Sequence, residues 1–167
     1  MFLITLYLIA IVAANLSVSA FGPGVTIVNA FLFIGLDLTT RDHLHERWQG
    51  RHLWRNMALL ILAGSLLSAV LNYQAARIAL ASCIAFGTAG VADALMYTLL
   101  GHRARLLKIN GSNMVSAAVD SIIFPALAFG FPLLIGIMVG QFVAKVVGGF
   151  LWSLVLNYAS VRQQVPA

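Results

Sequence analysis

Six apolar runs fill almost the whole of this chain, at about residues 2–20, 25–40, 57–73, 78–100, 112–129 and 133–158. A helix needs about 20 mostly apolar residues to cross a hydrocarbon core about 30 Å thick. The runs therefore predict an all-α, polytopic membrane protein with six transmembrane helices. Composition agrees: 61% of the 167 residues are hydrophobic and 9% charged, where a soluble domain has about 25% charged residues. Mean hydropathy is +0.95. Short links leave no room for a soluble domain, so residues 1–167 are read as a single transmembrane domain. The N-terminal run lacks the basic stretch of a signal peptide and is expected to be a retained first span.

The basic residues set the orientation. With six spans, the segment 41–56, the segment 101–110 and both termini share one side, which carries eight Lys and Arg residues; the opposite side has only Arg77. Positive charge marks the cytoplasmic face, so both termini are expected in the cytoplasm. The net charge of +5 is an orientation signal in short loops and does not point to nucleic acid. Trp48 and Trp54 suit the membrane interface.

Two charges lie where lipid should be: Asp120 in VSAAVDSIIFPALAFGF and Lys145 in GQFVAKVVGGFLWSLVL. Each costs about 2.5–3.5 kcal/mol at the centre of a helix on insertion scales. They are expected to face the bundle interior. Asp120 lies ten residues before Gly130, and Lys145 thirteen after Pro132. At 1.5 Å per residue their depths are about 15 and 20 Å, both near the middle of the bilayer.

Helical spacing gives each charge companions. Asn113, Asp120 and Phe124 form a stripe on span five; Gln141, Lys145 and Trp152 form one on span six. Facing each other, they would make a pocket with an acid, an ammonium, an amide and aromatic walls. That inventory suits a flat, nitrogen-rich heterocycle. The alternative is an internal salt bridge that fixes helix packing, although a buried pair stabilises less well than apolar contacts.

Asn15, Asp37 and Asp93 are the other intramembrane candidates. Asn15 either binds a ligand or joins neighbouring helices. Asp37 is four residues from Arg41, at ion-pair spacing, and Asp93 is two turns before the basic segment 101–108. Gly136 and Gly140 form a GxxxG, read first as close packing within the chain, with a homo-oligomer through the same glycines as the alternative. The Gly/Pro breaks at 22–24 and 130–132 are candidate flexing points.

Catalysis finds little to work with. The run His43-Leu44-His45-Glu46 lacks the i, i+4 histidines of a zinc helix, and no P-loop, nucleotide fingerprint or GxSxG is present. The single cysteine, Cys83, precludes an intrachain disulfide. No enzyme activity, metal or cofactor is expected. A solute carrier of this kind runs downhill, couples to an ion or borrows a motor.

Four stretches, GLDLTTRD, VADALMYTLLGHR, SAAVDSIIFPALAF and QFVAKVVGGF, occur in order along the chain and resemble the vitamin uptake transporter family. Its better-understood members are queuosine precursor transporters. The resemblance implies a six-helix protein of the cell inner membrane that imports a 7-deazaguanine, preQ0 or preQ1. It also places Asn15, Asp37, Asp93, Asp120 and Lys145 at matching polar positions. In size the family is similar to the substrate-binding subunits of energy-coupling-factor importers, so an ATP-driven partner is one alternative; a non-transporting assembly protein is another.

Overall fold

A computed structural model describes residues 2–37, 40, 44, 48, 52–101, 103 and 105–163. Its elements are helices: α1 (Phe2–Phe21), α2 (Pro23–Asp37), α3 (Leu53–Leu71), α4 (Ala76–Leu99), α5 (Arg105–Phe129) and α6 (Ile135–Gln163). Among the described residues there is no strand. Five of the helices are long and apolar enough to cross a membrane; α2 is apolar but shorter.

The helices pair as three antiparallel hairpins with short links. Gly22 (φ 74) closes α1 and Pro23 opens the next turn, since Pro cannot continue a helix but suits its first position. Asn72 leaves α3 extended, and its side chain accepts from the Gln74 N–H at 3.0 Å, starting the short turn Tyr73–Ala75. Gly130 (φ 76) ends α5. The main packing contacts run α1–α2–α6–α5–α4–α3 and back to α1, a ring of six, with α1 also touching α4.

Along α5 and α6 the polar side chains turn inward and apolar ones face outward. On α6, Ile135, Val139, Val143, Val147 and Leu154 are exposed, whereas Met138, Gln141, Ala144 and Lys145 are buried. On α5, Ser112, Ser116, Asp120 and Ser121 are buried while Met114, Ile122 and Leu127 face outward. In water this would be an inverted arrangement; in lipid the exposed side chains meet a solvent as apolar as themselves. The inner apolar contacts form two groups: Tyr7, Ile11, Leu60 and Phe86 with neighbours, and Val18, Ile78, Ala81 and Ala128.

Two helices begin earlier than the apolar runs suggest. α3 starts at Leu53, taking in Trp54 and Arg55, and α5 starts at Arg105, taking in Leu107 and Lys108. Arg, Leu and Lys are strong helix formers, so these helices extend past the apolar region. Lys108 sits 4.1 Å from the centre of the Tyr97 ring, a cation–π contact joining the start of α5 to the end of α4.

Glycines set the closest approach in the ring. A Cβ on Gly35 of α2 would lie 2.7 Å from the Gly148 backbone carbon of α6, and one on Gly148 would run into the Phe31 carbonyl oxygen. Gly140 faces Ile27 of α2, whereas a Cβ on Gly136 would meet nothing within 4 Å. Thus Gly140 is spent on packing within the chain. Just before this crossing, Ala30–Ile34 of α2 winds as a π-helix, a rare form often found at functional sites.

Candidate substrate site

The intramembrane charges meet each other. Lys145 Nζ lies 2.5 Å from Asp120 Oδ2, and both residues are buried (2% and 5% exposed). The same ammonium donates to Ser121 Oγ at 3.1 Å and to Gln141 Oε1 at 3.3 Å. An ammonium carries three protons, so its donors are fully used by these three acceptors. The salt bridge expected as the alternative to a ligand site is therefore present, and it sits in the wall of a cavity.

That cavity is lined by residues of five helices. α5 contributes Asp120 and Phe124, and α6 contributes Gln141 and Lys145. α1 brings Ala14, Asn15 and Val18; α2 brings Thr26, Asn29, Ala30 and Ile34; α4 brings Ser82 and Phe86. Its volume is about 30 Å³. A buried water needs roughly 10–15 Å³ on this measure, so the space suits one or two waters and is too small for a heterocyclic base. A base enters only if the helices part.

Two residues of this wall keep a polar atom unpaired. Asp120 Oδ1 and Gln141 Nε2 are both buried with no hydrogen-bond partner among the described residues. An unsatisfied buried polar group costs about 1–3 kcal/mol. The orientation of the Gln141 amide follows from chemistry: lysine only donates, so the oxygen must face Nζ and the NH₂ is left over.

Around this centre the polar groups lock the helices together. Asn15 Nδ2 donates to Ser68 Oγ of α3 at 3.0 Å, and that hydroxyl donates onward to Gly64 O at 2.8 Å. Asn29 Nδ2 donates to Ser17 Oγ at 2.7 Å and to Ala14 O at 3.2 Å, tying α2 to α1. Thr26 Oγ1 donates to Pro23 O at 2.6 Å, closing the first turn of α2. Phe124 meets Phe129 edge to face, with ring centres 6.1 Å apart. Pro125, inside α5, has no N–H, so the carbonyl of Ser121 loses its usual helical donor. The helix is thereby loosened one turn beyond Asp120.

Of the sequence candidates, Asn15, Asp120, Phe124, Gln141 and Lys145 come together on the cavity. Asp37, Asp93 and Asn113 do not line it. Asp37 (2% exposed) is buried and engaged elsewhere. Asp93 (5% exposed) lies on α4 with Oδ1 unpaired among the described residues. Asn113 is half-buried and has its own partner; the buried positions leading up to Asp120 on α5 include Ser112 and Ser116 instead. Trp152 is half-buried and also off the cavity. Arg41, His43, His45 and Glu46 lie outside the described residues. Sequence reasoning did not single out Thr26, Asn29, Ser82, Phe86 and Ser121 as site residues. Asn29 and the Ser121 neighbour of Asp120 were visible as polar residues in apolar runs, but Ser82 and Phe86 look ordinary in α4.

The chain matches the family model "Putative vitamin uptake transporter" over residues 2–159. It belongs to the vitamin uptake transporter family. No curated protein and no solved structure gives a match. Membership agrees with the apolar, multi-pass architecture and with a membrane transporter.

Proposed function

We propose that this member of the vitamin uptake transporter family imports a purine-like base, a 7-deazaguanine such as preQ0 or preQ1, across the cell inner membrane. The chain crosses the membrane six times, with α2 as the shortest crossing and both termini in the cytoplasm. It acts as a carrier and not as an enzyme. Asp120 and Gln141 contact the base, Phe124 and Phe86 cover its faces, and Lys145 holds the polar pair in place. Asn15 joins helices at the edge of the site. The observation that carries this reading is the pair of unpaired polar atoms on an acid and an amide that both line a cavity with two phenylalanines. Aromatic faces and a few convergent polar groups are what small-molecule sites use.

Because the cavity is smaller than a base, transport requires an opening motion, and alternating access about the membrane midplane supplies one. The π-helical turn of α2, which supplies Ala30 and Ile34 to the cavity, and Pro125 of α5, one residue past Phe124, are the places where the helices bend most readily.

The test is rescue of queuosine in tRNA. A host unable to make the precursor, expressing this chain and fed limiting preQ0 or preQ1, should regain queuosine. Failure with both bases, with the protein present in the membrane, overturns the cargo assignment.

A further inference from the structure

The unpaired atoms differ in kind, and the difference specifies which edge of a ligand they read. Asp120 Oδ1 can only accept, because an ionised carboxylate beside an ammonium carries no proton to give. Gln141 Nε2 can only donate. Both are held by the same cation: Lys145 Nζ takes Asp120 Oδ2 and Gln141 Oε1 as two of its three acceptors. One ammonium therefore holds both an acid and an amide, each with its second polar atom unused.

We infer that Asp120 and Gln141 form a reader for a lactam edge, a ring N–H next to a ring C=O. The ring N–H donates to Asp120 Oδ1, and Gln141 Nε2 donates to the carbonyl oxygen. An amidine edge, a ring nitrogen next to an amino group, has the opposite polarity and sets acceptor against acceptor and donor against donor. A 7-deazaguanine has the lactam edge; a 7-deazaadenine has the amidine edge. The inference rests on the proposed base-carrying function for its biological cargo, but the edge preference stands or falls separately.

The same geometry supplies a reversal. In D120N/Q141E the acid and the amide exchange places and the net charge is unchanged. Lysine still only donates, so it takes the oxygen of the amide at 120 and one oxygen of the carboxylate at 141. The amide N–H₂ at 120 and the second carboxylate oxygen at 141 are then left over. Donor and acceptor have changed sides, and the site suits an amidine edge.

The experiment measures binding of preQ0, 7-deazahypoxanthine and 7-deazaadenine to the purified full-length chain; the last two differ only in the edge. The expected result is a preference of about tenfold or more for 7-deazahypoxanthine over 7-deazaadenine, and its inversion in D120N/Q141E, because mispaired buried polar groups discriminate strongly. If the wild type binds preQ0 and the folded double variant keeps the original preference, the edge assignment is overturned while the base-carrying reading stands. If 7-deazahypoxanthine binds and preQ0 does not, with the preference inverted in the variant, the edge assignment holds and the cargo is a different lactam. If none of the three binds, both fall. Should D120N/Q141E not fold, Q141M decides: removing the one donor should weaken the preference severalfold, with Asp120 alone left to read the ring N–H, and an unchanged ratio overturns the inference.

Discussion

Lys145 on α6 and Asp120 on α5 bond directly, Nζ to Oδ2 at 2.5 Å, while both line the same cavity. A pair placed for stability alone would be a poor choice, since well-packed apolar residues often do as well or better. Removing one partner is different, because it leaves a buried charge alone, at a cost of about 3–5 kcal/mol. D120N and K145M should each lower the thermal stability of the detergent-purified protein sharply. D120N/K145M, with both charges gone, should recover most of that loss and still not transport. The pair of readouts separates packing from function: uptake by the stable double variant would show that the charges serve only the fold. K145M should also weaken discrimination between lactam and amidine edges, which a cation that merely holds helices together would leave unchanged.

The crossing of α2 and α6 gives a graded series. A methyl at Gly148 would press on the Phe31 backbone, and backbone cannot rotate away. At Gly140 it would meet the end of the Ile27 side chain, which can move, and at Gly136 it would meet nothing. Overpacking a tight contact costs about 1–3 kcal/mol. G148A should therefore be the most destabilised in thermal unfolding, G140A intermediate and G136A close to wild type. Equal effects at all three would mean that this crossing is not the closest approach in the bundle.

Access to the cavity can be followed from α4. Ser82 lines it, and the neighbouring Cys83 is half-buried. With Cys83→Ser as background, Ser82→Cys should react with a small membrane-impermeant thiol reagent at a measurable rate in intact cells. That reaction should slow severalfold when a transported base is added. A rate that saturating base does not change would place the transported solute elsewhere.

Asn29 ties α2 to α1 through Ser17 Oγ and Ala14 O. Asn29→Ala leaves both acceptors without this donor, and such losses cost about 1–3 kcal/mol. Thermal unfolding should show that loss. Asn29→Asp should be at least as harmful, because it sets a carboxylate against a carbonyl oxygen. A neutral result for both would mean that water replaces the amide.

Six crossings predict the same side for both ends. A reporter active only in the cytoplasm should work when fused to either terminus, and one placed in the link at 73–75 should be silent. Activity at a single terminus would point to an odd number of crossings and leave α2 as the segment that does not span.

Much of this protein was legible in the chain itself. Lipid makes the rules strict: apolar runs of a given length become helices, and a charge within one must turn inward. Those rules alone located the helices and singled out Asp120, Lys145 and Gln141. They could not specify neighbours. The i, i+7 reading put Asn113 on the inner face of α5, but tertiary packing turned Ser112 and Ser116 inward instead. Nor does spacing within one helix reveal that Ser82 and Phe86, ordinary residues of an apolar run, stand across from α5 and α6.

The sequence by itself determined the solvent of this protein, its helices and the residues too costly to leave in lipid, because each depends on composition and local period. Only the tertiary structure decided that Lys145 spends all three protons on Asp120, Ser121 and Gln141. Which hydrogen bonds are satisfied, and so which atoms remain for a ligand, depends on side chains brought together from different helices.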